Sequence, residues 1–299
     1  TIHQYRPDIP GGIPATAAPG LFRQCALNHR QFPGVQVDEM RRIRIYTQQP
    51  LSSGDIVELE AGAAHHLVQV LRLKPGQQVI LFNGDGHEFG ASLVEIGKRS
   101  ARLRLLQRSE AEPEPPLAIH LGLGLSRGER MDLAVQKSVE LGVQAITPLF
   151  TEHCGVRLSS QRVDRRLSHW RGIAVSASEQ SGRCRLPTLE PPVLLSCWLA
   201  QSGTESGIML DHRSSTSLDQ IPRPTGRVRL LAGPEGGLSE QERLLARNNG
   251  FSAARLGPRV LRTETAPLAA IAAVQMLWGD FAASADNSGV SEKNLCGTD

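Results

Sequence analysis

The chain changes its periodicity at one short charged, proline-dense run, Glu110-Ala111-Glu112-Pro113-Glu114-Pro115-Pro116. Such a run neither pairs into a sheet nor sustains a helix, so residues 111–116 read as a linker between two differently built domains. Before it, short apolar segments alternate with polar residues or stop at turns. Arg42-Ile43-Arg44-Ile45-Tyr46 alternates as a half-buried strand does, and Val79-Ile80-Leu81-Phe82 ends in the turn Asn83-Gly84-Asp85-Gly86. Residues 88–96 and 100–106 continue the pattern. One helix is expected, over 63–73, with Leu67, Val70 and Leu71 on one face and Pro75-Gly76 as its stop. Closely spaced short strands predict a small β-barrel over 40–110.

After the linker, strands and helices alternate. Strands are expected over 117–123, 145–150, 206–210, 228–232 and 254–256, and helices over 129–141, 163–178, 239–248 and 266–278. The third helix opens on a capping box, Ser239 with Glu242. This alternation predicts an α/β domain with a mainly parallel sheet over 117–281. Residues 1–39 hold five prolines and four glycines without sustained periodicity. They are expected to be a disordered extension, or to lie upstream of a start at Met40, and 282–299 to be a disordered tail.

Several classes are excluded. The longest apolar stretch free of charge, 265–279, has 15 residues, whereas a membrane span needs roughly 20. The five cysteines, at 25, 154, 184, 197 and 296, form no CxxC pair and no zinc spacing, so the expected setting is reducing and cytoplasmic. His65 and His66 point to different faces of a helix with no third ligand near, so no metal is expected. Net charge is +3, yet 29 arginines stand against 4 lysines. A guanine- and cytosine-rich genome explains that bias as well as phosphate recognition does.

Two segments point to a site. Leu230-Leu231-Ala232-Gly233-Pro234-Glu235-Gly236-Gly237-Leu238 runs from a buried strand through a glycine-rich turn to a capped helix, where open α/β sheets bind ligands. It has neither the GK[ST] of a phosphate loop nor the GxGxxG dinucleotide fingerprint, which disfavours nucleoside triphosphates and NAD. Leu256-Gly257-Pro258-Arg259-Val260-Leu261-Arg262-Thr263-Glu264-Thr265-Ala266 joins a strand to an apolar helix. Thr263 or Thr265 would cap that helix, and Glu264 suits its positive end. Arg259 and Arg262 do not suit it, and such a cost is expected at a functional site. Ser178-Glu179-Gln180-Ser181-Gly182-Arg183 alone is a polar loop.

Together these segments resemble the RsmE family of SPOUT methyltransferases, which methylate N3 of a uridine in 16S rRNA. The glycine-rich loop and the Leu256–Ala266 loop carry the resemblance. Further matches are Arg41, Arg44-Ile45-Tyr46, His66 with Val70-Leu71-Arg72, Phe82-Asn83-Gly84, Ser126-Arg127-Gly128-Glu129-Arg130-Met131, Glu140-Leu141-Gly142-Val143 and Glu179-Gln180 with Arg183. The resemblance spans about 40–281. The sequence departs from the family pattern at Gln69 and His153, where a basic residue and an arginine are usual, and in the Leu210-Asp211-His212-Arg213 loop.

The resemblance implies a PUA-like RNA-binding β-barrel followed by an α/β SPOUT domain whose C-terminal trefoil knot holds S-adenosylmethionine, with no metal. It implies a homodimer acting on 16S rRNA of the small ribosomal subunit. Cofactor contacts fall on Leu210, Leu231, Gly233, Glu235, Gly236, Gly237, Leu256, Gly257, Leu261, Thr263, Thr265 and Ala266. Uridine N3 must lose its proton to become a nucleophile, so Arg262 would be the cation beside the developing charge and Glu264 the base or orienter, with Glu179 as rival. Arg41, Arg44, His66, Arg72, Arg127 and Arg183 would hold RNA. The alternatives are a SPOUT enzyme acting on another rRNA base or a ribose 2′-hydroxyl, and a non-catalytic assembly factor.

Overall fold

The computed structural model describes residues 43–109, 112–155, 160–201 and 205–281. The expectations for 1–39, for Arg41 and for 282–299 lie outside the described residues.

The first sheet holds β1 (Arg44–Tyr46), β2 (Ile56–Glu58), β3 (Gln78–Phe82), β4 (Glu88–Ile96) and β5 (Ala101–Arg108), in the order β1-β3-β4-β5-β2. β1 pairs in parallel with β3, and the other pairings are antiparallel. Alternation decides which face is buried: Ala101, Leu103 and Leu105 of β5 point inward while Arg102 and Arg104 stay exposed. Their core partners are Ile45, Val57, Leu81, Leu93 and Leu67. The ladder leaves β1 and β2 as edges. Side chains join their ends, for Glu60 accepts from Thr47 Oγ1 at 2.9 and 3.0 Å and from Gln48 N at 3.1 Å.

The helix on this sheet is shorter than its apolar spacing predicts. α1 (Ala61–His65) widens into one π turn, His66–Val70. It stops before Pro75 because Arg72 takes a left-handed backbone, φ 54°, which few residues other than glycine adopt. β2 was not signalled by the sequence, since three residues are too few to show a period.

The second sheet is parallel throughout. It holds β6 (Ala118–Gly124), β7 (Ala145–Phe150), β8 (Thr188–Leu189), β9 (Val193–Leu194), β10 (Ser206–Leu210), β11 (Arg227–Ala232) and β12 (Phe251–Ala254). The order is β12-β10-β11-β6-β7-β8, with β9 also on β7. Alternate residues serve two cores. Ile208 of β10 and Leu230 of β11 meet α2 (Glu129–Glu140), α3 (Ser160–Ser181) and α6 (Thr265–Trp278) through Val135, Trp170 and Ile271. Met209 and Leu231 face the opposite side, with Trp198 and Ala246 of α4 (Leu195–Ala200) and α5 (Glu240–Asn248). Ser239 caps α5 with Glu242 as the capping box predicts. β12 begins at Phe251 rather than at 254, because the Phe251 ring packs on Trp198 with centroids 5.6 Å apart. No helix among the described residues is long and apolar enough to cross a membrane.

The end of α3 meets the first sheet. Arg44 pairs with Glu88, and its Nη2 donates to Arg183 O at 3.1 Å and to Cys184 Sγ at 3.4 Å. Glu112, in the linker, accepts from Arg185 N at 2.8 Å.

Candidate active site

A parallel sheet leaves every strand's carboxyl end on one edge, and loops from β10, β11 and β12 converge there. They enclose a cavity of about 470 Å³, within the size range of small-molecule sites. Its walls are Leu210, Ala232, Leu256 and Leu261, the backbone of 233–237, and a polar rim including Asp211, Arg259, Arg262 and Glu264. Glycine is required where backbones touch: a Cβ on Gly124 would stand 2.5 Å from Pro234 N, and one on Gly236 would stand 2.7 Å from the His153 Cβ.

Two of the loops are tied together. Thr263 Oγ1 donates to Gly233 O at 3.0 Å and exchanges a hydrogen bond with Ser126 Oγ at 3.3 Å. The third carries Asp211, which is buried and approached by Arg243 Nε and Arg247 Nη2, both at 3.8 Å. Glu235 accepts from Arg127 N at 3.0 Å and faces Arg130 at 3.4 Å. Burial alone would raise the Glu235 carboxyl, but the Arg127 N–H, its own backbone and Arg130 outweigh it and hold it below the ordinary value.

Glu264 is the N-cap residue of α6 but makes no side-chain capping bond. Its Oε2 is buried without a hydrogen-bond partner. Buried acceptors are nearly always paired, so this one calls for a donor that a ligand would bring. Arg259 and Arg262 are exposed at the rim, and their guanidinium groups have no hydrogen-bond partner among the described residues. Neither threonine caps α6: Thr263 is committed to Gly233, and Thr265 N donates to Arg262 O at 3.0 Å.

The expected cofactor residues Leu210, Gly233, Glu235, Gly236, Gly237, Leu256, Leu261, Thr263 and Ala266 line the cavity together with Arg262 and Glu264. Three others do not. Leu231 points to the α4–α5 core and is fully buried there. Gly257, at φ 82°, makes the turn after β12 without facing the cavity, and Thr265 is exposed on the first turn of α6. Glu179 is also elsewhere: at the end of α3 it accepts from Tyr46 N at 2.9 Å. Burial raises its carboxyl, against the Tyr46 N–H and the nearby charges of His66 and Arg44.

The expected RNA contacts divide similarly. His66 and Arg72 are exposed. Arg127 is exposed but donates to Gly155 O at 3.1 Å. Arg183 is buried and donates to Val139 O at 2.9 Å and Val143 O at 2.8 Å, closing the end of α2. Arg44 is likewise committed to Glu88, so neither guanidinium is presented to a phosphate. Sequence reasoning named Asp211 only as part of the Leu210–Arg213 loop and passed over Arg243. The signal for Asp211 was its place at a strand's carboxyl end. Arg243 had none, since an arginine on a polar helix reads as solvent-facing.

The RNA methyltransferase domain family matches residues 113–275, and the RNA methyltransferase PUA domain family matches 59–106. The chain is 35% identical to the ribosomal RNA small subunit methyltransferase E of Buchnera aphidicola over 241 residues, 80% of this chain and 97% of that protein. The chain belongs to the RsmE family. Two solved structures agree. A methyltransferase of Legionella pneumophila with bound S-adenosylmethionine is 40% identical, with TM-score 0.78, over 80% of this chain and 99% of that one. The ribosomal RNA small subunit methyltransferase E of Neisseria gonorrhoeae, bound to S-adenosylmethionine, is also 40% identical, with TM-score 0.76, over 81% of this chain and all of that one. The fold is thus that of a SPOUT methyltransferase preceded by a PUA-like domain.

Proposed function

We propose that this RsmE-family chain is a cytoplasmic enzyme that uses S-adenosylmethionine to methylate N3 of a specific uridine in the 16S rRNA of the small ribosomal subunit. The observation that carries this reading is the cavity at the ends of β10–β12, with the unpaired Glu264 Oε2 on its wall and Arg262 at its mouth. The cofactor fits that donor set: apolar walls from Leu210, Leu256 and Leu261 for the adenine, backbone amides of the glycine loop, and the buried Asp211 carboxylate for hydroxyl or ammonium donors. When bound, the cofactor supplies an electrophilic methyl group. In this reading the segment from β10 to α6 forms the trefoil knot, a topology otherwise almost absent from proteins.

The chain's residues then have distinct tasks. Glu264 accepts the proton leaving uridine N3, and Arg262 stands beside the negative charge that this loss spreads over the base. Thr263, bound to Gly233, keeps both loops in place so that nucleophile and methyl group are aligned. His66 and Arg72 hold the RNA backbone from the PUA-like domain. The homodimer belongs to the same proposal. α6 is apolar almost throughout, yet Met276 and Leu277 are 57% and 45% exposed. A second copy of the chain covers that face.

The experiment is methylation of small subunits lacking their modifications by the purified chain, using labelled S-adenosylmethionine, with the labelled nucleoside identified by mass spectrometry. N3-methyluridine is expected. Another methylated nucleoside would move the target to a different base or to a ribose hydroxyl. Absence of both label and cofactor binding would overturn the enzymatic reading.

A further inference from the structure

Arg243 sits where an arginine is least expected. It lies near the N-terminus of α5, the end at which the helix dipole disfavours a cation. Its side chain is only 10% exposed, although arginine is almost never fully buried unless paired. Its partners account for the burial. Nη1 donates to Leu238 O at 2.6 Å, Nη2 pairs with Glu240, and Nε lies 3.8 Å from Asp211 Oδ2. Leu238 ends the glycine-rich segment and Asp211 begins the loop after β10. One guanidinium therefore reaches two of the three loops that enclose the cofactor cavity, and both Arg243 and Asp211 line it. Thr263 and Gly233 join the remaining pair, so the three loops are tied in series.

At Asp211, charge and hydrogen bonding are divided between the two oxygens. Oδ1 accepts from Arg213 N at 3.0 Å. Oδ2 has two guanidinium groups near it, those of Arg243 and Arg247, each at 3.8 Å. That separation is too long for a hydrogen bond, yet the attraction between opposite charges persists across it in a buried setting. Among the described residues Oδ2 accepts no hydrogen bond. The charge is balanced while the acceptor stays unfilled, and a buried acceptor of this kind calls for a donor. Charge decides which donor. Arg213, Arg243 and Arg247 gather around Asp211 and Glu240, three cations to two carboxylates. An ammonium would add a cation to a corner that already holds an excess, and like-charge repulsion would offset its hydrogen bond. A neutral hydroxyl gains a hydrogen bond to a charged acceptor without that cost.

We infer that Arg243 is a positioning residue that sets the specificity of this corner of the site: it neutralises Asp211 without filling Oδ2, so that Asp211 takes a neutral ribose hydroxyl of the cofactor rather than its ammonium group. The inference rests on the cofactor reading of the cavity. Arg243 acts through Asp211, since its own Nη1 and Nη2 are committed to Leu238 and Glu240. Without Arg243, Asp211 is free to close onto Arg247 and fill Oδ2.

The test uses the full chain and calorimetry with S-adenosylmethionine and two neutral probes, 5′-methylthioadenosine and its 2′,3′-dideoxy counterpart. Both neutral probes lack the amino-acid part, and they differ only in the ribose hydroxyls. Wild type is expected to bind the ribose form roughly tenfold or more tightly than the dideoxy form, the worth of a hydrogen bond to a charged group. Arg243→Gln should cut that preference to about threefold while the dideoxy probe binds within about twofold of wild type, because only the bond to Asp211 is lost. Asp211→Asn should do the same, and the two losses should not add in the double variant, since one residue acts through the other. Arg247→Gln should do less, because that side chain is 46% exposed and its charge is screened. S-adenosylmethionine should weaken with Arg243→Gln by the same factor as methylthioadenosine. A preference that Arg243→Gln leaves unchanged, with S-adenosylmethionine bound more tightly, would place the ammonium at Asp211 and overturn the inference. Equal weakening of both neutral probes would mean that Arg243 only packs the loops, and additive losses that it acts elsewhere; each overturns it. So would a wild-type chain without a ribose preference, a result that needs no variant to fold. In all these cases the cofactor reading survives, whereas a wild-type chain that binds none of the three ligands overturns both.

Discussion

The carboxylate of Glu179 accepts the backbone N–H of Tyr46 at 2.9 Å, so a residue marked as a rival base is instead a bond between α3 and β1. Glu179→Ala leaves that N–H unpaired and should cost about 1–3 kcal/mol. Glu179→Gln keeps an acceptor and should cost less, with methyl transfer within about threefold of wild type. Because burial raises this carboxyl above its ordinary 4.5, the folded state favours the neutral acid. Its contribution is full below that value and fades as pH rises through the raised one, so wild type should lose stability relative to Glu179→Gln as pH rises from 4. Thermal melts across pH check this. A hundredfold loss of kcat in Glu179→Gln with an unchanged melt would return the base to Glu179.

Arg44 and Glu88 pair with side-chain exposures of 10% and 5%. Removing one partner of so buried a pair costs about 3–5 kcal/mol, whereas replacing both by apolar groups is nearly neutral. Arg44→Met alone should therefore lower Tm on the order of 10 °C, and Arg44→Met with Glu88→Leu should recover most of it. The double variant also isolates the RNA role suggested by the sequence. If it melts like wild type but no longer binds small subunits, Arg44 contacts RNA after all.

Arg262 stands at the cavity mouth with its guanidinium unengaged. Arg262→Ala should lower kcat about 10²- to 10³-fold, the effect of removing one preorganised charge-stabilising donor, and leave cofactor affinity within about threefold. Single-turnover methylation paired with calorimetry separates the two. A variant with full turnover would remove Arg262 from the chemistry.

The parallel sheet was legible in the sequence because its strands are bounded by glycine turns and its helices repeat apolar residues at helical spacing. The glycine-rich loop and the Arg262–Glu264 loop could be placed at its edge for the same reason. What stayed hidden is where polar groups are buried. Arg44, Arg183 and Arg243 occur in patterns that read as solvent-facing, yet each ends in a buried bond, the first two to partners dozens of residues away and Arg243 to the Leu238 carbonyl just ahead of its helix. Leu231 shows the converse: a strand alternates faces, and one residue separates the cavity wall at Ala232 from the core behind it.

His120 on β6 meets the Trp198 ring edge-on at 5.5 Å and exchanges a hydrogen bond with Thr147 Oγ1 at 2.8 Å. Burial, and then the Arg229 charge, push its pKa down to about 4 from 6.5. The unfolded chain therefore takes up a proton at higher pH than the fold does. Stability from this group is complete above 6.5 and is lost as pH falls through 4, amounting to about 3 kcal/mol at most. Urea midpoints measured between pH 7.5 and 4 should fall more steeply for wild type than for His120→Gln. Parallel curves would show that His120 is charged in the fold.

The bond from Thr263 Oγ1 to Gly233 O joins the loop that carries Arg262 and Glu264 to the loop that supplies backbone to the cofactor. Thr263→Val keeps shape and volume but strips the donor, leaving the Gly233 carbonyl and Ser126 Oγ without it. A neutral hydrogen bond is worth about 1 kcal/mol net, which predicts about fivefold weaker S-adenosylmethionine binding. If the two loops must also be held in register for alignment, kcat should fall further than affinity, since small displacements at reacting atoms cost more in rate than in binding. Thr263→Ser should restore both. Calorimetry with single-turnover rates on all three proteins decides it: equal affinity and rate in Thr263→Val would mean that Ser126 and the backbone hold the loops without the threonine.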